Sequence, residues 1–91
     1  MYIVADFGKM TTIDDYRTTV GTKLKGIDIA ALFLNVGVAS VGHFVDQSDA
    51  DVESQMTINA LANIYTAKVL LGQMLDRGKR CAIVTTSSGC G

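Results

Sequence analysis

The sequence predicts an α/β fold with a parallel sheet, because short apolar runs alternate with amphipathic segments. The runs Tyr2–Ala5, Ile29–Val38 and Cys81–Val84 have the length and composition of buried strands. Between them, apolar residues recur every three or four positions, which is typical of helices. Helical crossovers between buried strands are the connections that a parallel sheet requires. We therefore expect about three strands and two helices in one domain that covers residues 1–91.

The first helix is predicted over residues 13–25. Thr12 and Asp15 have the spacing of a capping box, and Gly26 stands where a helix commonly ends in a left-handed glycine. One apolar stripe runs along it, formed by Ile13, Tyr16, Val20 and Leu24.

The second helix is predicted over Asp49–Leu75, long for a globular protein. Ser48 is its candidate N-cap, and Asp49 and Asp51 lie at the positive end of the helix dipole. Two apolar stripes follow, one of Val52, Met56, Ala60, Ile64, Ala67, Leu71 and Met74 and one of Leu61, Tyr65 and Val69. We expect one face to pack on the sheet and the other on a second helix or subunit.

Composition excludes several classes of protein. The formal net charge of −1 favours neither nucleic acid nor a membrane surface as a partner. Two cysteines, Cys81 and Cys90, cannot form a disulfide scaffold or a four-ligand zinc site, and no metal site is predicted. The first six residues lack the basic segment of a secretory signal, so an intracellular location is expected.

Three polar spots interrupt the apolar pattern. Asn35 and Gly37 end a predicted strand, where ligands bind in doubly wound sheets, although an ordinary turn has the same composition. Asn59 lies within the second helix and is either functional or bonded to a neighbouring backbone group. The run 85–88 follows the last strand and offers hydroxyl groups, which are also common in loops.

Taken together, these motifs resemble the central part of a short-chain dehydrogenase/reductase. The matching pattern is a strand, Asn-Val-Gly at 35–37, a long helix with Thr-Ile-Asn-Ala at 57–60, Asp-Arg-Gly at 76–78, and a strand that runs into Ser-Ser-Gly at 87–89. The resemblance implies a partial Rossmann-like, three-layer doubly wound fold with NADP or NAD as cofactor. Within that family, the sequence is similar to the branch of 3-oxoacyl-CoA reductases and 17-beta-hydroxysteroid dehydrogenases.

The resemblance also implies roles for individual residues. Asp6 matches the acidic residue that contacts the adenine ring, and residues 34–37 match a motif that lines the adenosine side of the cofactor, through Asn35, Val36 and Gly37. Leu34 replaces the first asparagine of that motif. Asn59 matches the asparagine that supports a water-linked proton relay, and Ser88 matches the catalytic serine that orients the substrate carbonyl.

Two parts of the family's reaction machinery have no counterpart in these 91 residues. There is no TGxxxGxG loop to hold the pyrophosphate and no Tyr-x-x-x-Lys to supply a general acid. The leading hypothesis is therefore a fragment of an NAD(P)(H)-dependent oxidoreductase, inactive as an isolated chain. Its lineage would act on the ketone or secondary alcohol of a lipid-like substrate, a 3-oxoacyl thioester or a steroid.

Two alternatives stay open. The chain could be a non-catalytic truncated remnant that pairs through the helix Asp49–Leu75 with a full-length paralogue, whereas the leading hypothesis implies a homo-oligomer through the same helix. It could also be an unrelated parallel α/β domain, such as a flavodoxin-like regulator. The resemblance further implies a cytoplasmic location, or association with the endoplasmic reticulum if a longer form carries the anchor of its branch.

Overall fold

The computed structural model describes residues 2–88 and shows two helices and two strands. Helix α1 consists of the successive segments Ile13–Tyr16, Arg17–Gly21 and Thr22–Leu24. Strand β1 is Ala31–Leu34 and strand β2 is Ala82–Thr85. Helix α2 consists of Asp49–Met56, Thr57–Leu61 and Ala62–Leu75. Short 3-10 turns at Phe7–Lys9 and Phe44–Asp46 precede the two helices.

The predicted capping signals begin both helices. The Thr12 hydroxyl accepts the backbone N–H of Asp15, and the Asp15 carboxylate accepts the backbone N–H of Thr12, which completes the capping box. Ser48 caps α2 by accepting the N–H of Asp51 at 3.1 Å. Gly26 follows α1 with a φ of 82°, a conformation that glycine adopts without steric cost. The two helix predictions are confirmed to within one residue.

Both helices contain a π-helical turn in the middle, which the periodicity did not indicate. In α1 the turn is Arg17–Gly21, and in α2 it is Thr57–Leu61, the segment that holds Asn59. A π turn inserts one extra residue into the helical ladder and is frequent at functional sites. Residues after Leu61 are therefore rotated relative to a straight helix.

The two strands pair in parallel, as predicted. Leu32 lies beside Ile83, Phe33 beside Val84 and Leu34 beside Thr85. Further backbone hydrogen bonds join Ala82 to Ala30 and Thr86 to Leu34, each at 3.0 Å. The fold is thus α/β with a two-stranded parallel sheet, consistent with part of a Rossmann-like fold.

The prediction of a third strand at Tyr2–Ala5 is wrong. The segment has no strand pairing, and Tyr2 and Val4 are 88% and 81% exposed. Ala5 and Phe7 still pack against the core. A strand needs a neighbour to accept its backbone hydrogen bonds, and no described strand lies beside these residues. Local sequence alone therefore could not produce the third strand.

The core lies between the two helices and one face of the sheet. Tyr16 and Val20 of α1 and Ala62 and Leu70 of α2 are buried together, and Leu32 of β1 packs against them. The Tyr16 ring stacks on Phe7 and meets Tyr65 edge-on. Its buried hydroxyl has no hydrogen-bond partner in the described part of the chain. Burial and the nearby charge of Asp15 raise the pKa of Tyr16.

The opposite face of the sheet is open, against the expectation of strands covered on both faces. Phe33 is 68% and Val84 is 44% exposed, and all four residues of β2 are exposed. The buried helix residues pack on the Leu32 side of β1 only, and Ile83 of β2, beside Leu32 in the sheet, is itself 39% exposed. The accessible surface is 6618 Å², against about 5100 Å² for a compact monomer of this mass. Cys81, the first residue of the third run predicted as a buried strand, is only partly buried.

Helix α2 uses its second stripe for the core. Tyr65 and Val69 pack against it, whereas Met56, Ile64 and Leu71 of the first stripe are exposed. The free apolar side of this helix is therefore formed by these three residues, whereas Met74, the last member of the same stripe, is fully buried. No helix of residues 2–88 is both long and apolar enough to span a membrane.

Two polar side chains tie the end of α2 to the chain that leads into β1. The Gln73 amide donates to the carbonyl oxygens of Leu24 and Ile27, both at 2.7 Å. Arg77 donates to the Asp28 carboxylate and to the carbonyl of Arg80. The hydrogen bond from Arg77 holds the pKa of Asp28 below its usual value.

The close approach of the helices predicts opposite effects for two glycines. A Cβ at Gly21 would lie 2.9 Å from Val69 Cγ1, and a valine has little rotamer freedom to move away in a helix. We expect Gly21→Ala to lower the free energy of unfolding by about 1–2 kcal/mol. Gly72 has nothing within 4 Å, so Gly72→Ala should raise it by about 0.5–1 kcal/mol. Urea unfolding measures both free energies. Equal changes in the two variants would contradict the close contact between Gly21 and Val69.

The capping box predicts an acid-sensitive part of the stability. Asp15 accepts the backbone N–H groups of Thr11 and Thr12 at 2.9 and 3.0 Å. Chiefly the hydrogen bonds from Thr12 lower the pKa of Asp15. The stabilisation is therefore fully present above a pH of about 4, the unfolded value, and is lost as the pH falls through the lower folded pKa.

Urea unfolding at a series of acid pH values tests this dependence. Asp15→Asn should reduce the slope of the free energy of unfolding against pH. The slope that remains should include the contribution of Asp28, whose pKa is also lowered in the folded chain. Asp14→Asn leaves the bonds from Thr11 and Thr12 intact and is the matched control. An unchanged slope in Asp15→Asn would contradict the assignment.

Candidate functional site

The carboxyl ends of both strands open into one pocket of about 460 Å³. Three parts of the chain line it: residues 35–39 after β1, Asn59 and Asn63 of α2, and residues 86–88 after β2. Neighbouring parallel strands end at the same edge of a sheet, and ligands bind there in open α/β folds. The volume is within the range of small-molecule sites.

Five of the six residues predicted for the site come together in this pocket. Asn35, Val36 and Gly37 line one side, Asn59 lies on α2, and Ser88 lies on the segment after β2. Residues separated by up to 53 positions in the sequence therefore share one cavity, because the parallel pairing aligns the ends of β1 and β2. Their predicted catalytic and cofactor-binding roles stay predictions.

Asp6, the sixth predicted residue, is not part of the pocket lining. Its carboxylate accepts the backbone N–H of Gly8 at 3.0 Å and caps the turn Phe7–Lys9. A Cβ on Gly8 would lie 3.6 Å from Ile58, so this turn rests on the π turn of α2. Asp6 thus holds the turn, and its contact with adenine stays a prediction.

Asn59 holds the chain that leaves β1 against helix α2. Its Oδ1 accepts the backbone N–H of Val38 at 2.7 Å, and its Nδ2 donates to the Val38 carbonyl at 2.8 Å. We call this pair of hydrogen bonds the Asn59–Val38 clamp. Bonding to neighbouring backbone was the structural role left open for Asn59, and the clamp shows it.

Gly37 fits the space between the clamp and the strand. A Cβ at this position would lie 3.4 Å from Asn59 Oδ1, the atom that accepts from Val38. A larger side chain would therefore press on the clamp or fill the pocket. Glycine leaves the backbone of residues 36–38 accessible to a ligand.

Asn63 is a pocket residue that the sequence reasoning missed. Its Nδ2 donates to the backbone carbonyl of Asn59 at 2.8 Å, across the π turn. It also lines the pocket. The signal was available, since residues four apart share one face of a helix. A polar residue four positions after Asn59 could have been assigned to the same site.

The pocket offers neutral hydrogen-bonding groups. The ten described residues that line it carry amides, hydroxyls and backbone groups, and none is charged. Within residues 2–88 no group of three or more histidine, cysteine or acidic side chains could hold a metal ion. Cys90, the second cysteine of the sequence, lies outside the described residues, as does Gly89. Such a pocket can orient a polar, uncharged group, for example a carbonyl or a sugar hydroxyl.

The clamp predicts the behaviour of one backbone amide. Asn59→Ala removes both partners of Val38, so hydrogen exchange of the Val38 N–H should accelerate about tenfold or more. Asn63→Ala removes an amide from the same helix face and leaves the clamp in place, so it is the matched control. Amide exchange followed by NMR measures both. Equal acceleration in the two variants would show that the clamp does not protect Val38.

Comparison with known proteins agrees with this arrangement. The family model of short chain dehydrogenases matches residues 1–91. No match was found among curated proteins or solved structures. The family match covers the whole chain, and the two helices and the parallel two-stranded sheet are consistent with part of the Rossmann-like fold of that family. The chain belongs to the short-chain dehydrogenase family.

Proposed function

We propose that this chain carries part of the site of an NAD(P)(H)-dependent oxidoreductase that interconverts a ketone and a secondary alcohol. The observation that supports the proposal most directly is the pocket that joins residues 35–37 to Ser88 at the ends of two parallel strands. The family generally uses a nicotinamide cofactor. The branch-like motifs Asn-Val-Gly and Ser-Ser-Gly favour a lipid-like substrate, a 3-oxoacyl thioester or a steroid.

The residues present fit one side of such a cofactor. Gly37 leaves the backbone after β1 open, and Asn35 is exposed at the pocket with an amide that can donate and accept. These residues, with Val36, would hold the adenosine side. The cofactor, when bound, supplies or accepts the hydride at the substrate carbon. The part of the site that holds the pyrophosphate in the family is not among these residues.

Ser88 and Asn59 have different tasks in this proposal. The Ser88 hydroxyl, on the segment after β2, would donate a hydrogen bond to the substrate carbonyl oxygen and fix its position. Asn59 would support a relay water, but its amide is already engaged with Val38 and its carbonyl accepts from Asn63. Its first contribution is therefore to position the segment opposite Ser88.

Turnover needs a proton donor that these 91 residues do not supply in the family's form. None of the three tyrosines is followed by lysine at the fourth position. In the family, the tyrosine of the Tyr-x-x-x-Lys motif protonates the carbonyl oxygen as the hydride arrives. We propose that the isolated 91-residue chain can bind cofactor and substrate but does not convert the substrate to product.

A second candidate function, a dimerisation or binding module, has its own support. Ile64 of the first stripe of α2 is 60% exposed, and so is Leu75, the last residue of the helix. The open face of the sheet exposes Phe33 in addition. Exposed apolar surface of this kind marks interaction sites. This candidate needs no chemistry at the pocket, so cofactor binding separates the two functions.

Titration of the full chain with NADPH and with NADH, followed by protein NMR, tests the proposed function. We expect saturable shifts at residues 35–39 with micromolar affinity. Gly37→Val should weaken binding about tenfold, which is a loss of about 1.4 kcal/mol, because its side chain fills the pocket. Gly72→Val, at an open position outside the pocket, is the matched control.

The opposite result is equally informative. No shift up to millimolar cofactor, in a sample that circular dichroism shows to be helical, would contradict the proposal. Only the second candidate function would then remain supported.

A further inference from the structure

A second pocket of about 310 Å³ adjoins the first and is more apolar. Its described lining consists of three apolar and three amide side chains: Phe44, Val52, Met56, Gln47, Gln55 and Asn59. Asn59 lines both pockets. The two cavities are therefore neighbours, and Asn59 is the residue that their linings share.

Hydrogen bonds hold the second pocket in shape. The Gln55 amide donates to Gln47 Oε1 at 3.0 Å and to the Asp51 carbonyl at 3.2 Å. These bonds fix the chain before Ser48 on the first turns of α2. The pocket thus has a bonded polar side, and its apolar wall is formed by the turn that carries Phe44 and by helix α2.

The apolar wall is left in contact with solvent. Phe44 is 75% and Met56 is 58% exposed. Val41 and Val45, in the same loop, are almost fully exposed at 102% and 86%. Covering such side chains with an apolar group releases free energy, because their surface leaves water. The lining carries no charge to match an ionic ligand.

We infer that the second pocket binds the aliphatic part of the substrate whose carbonyl group lies in the first pocket. The inference rests on the proposed function for the placement of the carbonyl, and on the lining of the second pocket for the chemistry of the tail. Phe44, Val52 and Met56 contact the chain, and the shared wall at Asn59 sets where the tail leaves the polar pocket.

The probe is methyl octyl ketone, with methyl ethyl ketone as the short-chain comparison. The full chain is labelled at methionine methyl groups and followed by NMR. Methyl octyl ketone should shift the Met56 signal saturably, and methyl ethyl ketone at the same concentration should not. Met74 is fully buried in the core, so its signal should not move and serves as the internal reference.

A pair of variants makes the test specific. Met56→Gln should weaken binding of methyl octyl ketone about tenfold, through loss of apolar contact. Ile64→Gln is the matched control, because Ile64 is on the same helix at 60% exposure and lines neither pocket. Both residues are largely exposed, so neither substitution threatens the fold. A second sample, labelled at valine methyl groups, reports binding in the Met56 variant through the Val52 signals.

The outcomes separate this inference from the proposed function. If NADPH binds but methyl octyl ketone leaves Met56 unmoved, the inference is overturned and the proposed function stands. Equal weakening by Met56→Gln and Ile64→Gln, or equal affinity for both ketones, also overturns it. If the ketone binds at Met56 and neither cofactor binds, the pocket takes aliphatic chains but its link to this reaction is overturned.

Discussion

The Asn59–Val38 clamp is the interaction on which the site depends. Strand β1 ends at Leu34, and nothing in an isolated strand fixes the direction of the chain beyond it. Both atoms of the Asn59 amide bond the backbone of Val38, at 2.7 and 2.8 Å. A two-point contact fixes orientation as well as distance. It holds Val38 in the wall of the first pocket, and Asn59 lines both pockets. The contact thus joins two of the three parts of the chain that line the first pocket, the segment after β1 and helix α2.

The packing explains why this clamp matters so much in this chain. The buried helix residues pack on the Leu32 side of β1, Phe33 on its other side is 68% exposed, and all four residues of β2 are exposed. A doubly wound sheet is stable when helices cover both faces. Here the hydrophobic contribution comes from one layer, built around Tyr16 and Leu70. Specific polar contacts, such as Gln73 on the end of α1, therefore hold the loops that a complete fold would hold by packing.

The sequence predicted the local structure well and the long-range structure in part. The starts of both helices could be predicted because Thr12 and Ser48 accept backbone N–H groups from the first turn of the helix that each precedes. Such capping signals need no distant partner. Tyr2–Ala5 has the composition of a strand but no described neighbour, so its apolar pattern could not decide its structure. The π turns were also missed, because their widening is set by packing rather than by residue type. The pocket could be predicted, since the ends of parallel strands must meet.

The position of Asn59 limits how its chemistry can be tested. It lies in the π turn Thr57–Leu61. Its backbone carbonyl accepts a hydrogen bond from the Asn63 side chain, and its side-chain amide is bonded to the backbone of Val38. Any substitution of Asn59 therefore alters the shape of both pockets as well as any relay water, and a loss of activity would not identify a proton path. Asn63 touches the same carbonyl without touching Val38. Variants at Asn63, with the clamp intact, are thus the way to separate a proton relay from the architecture that surrounds it.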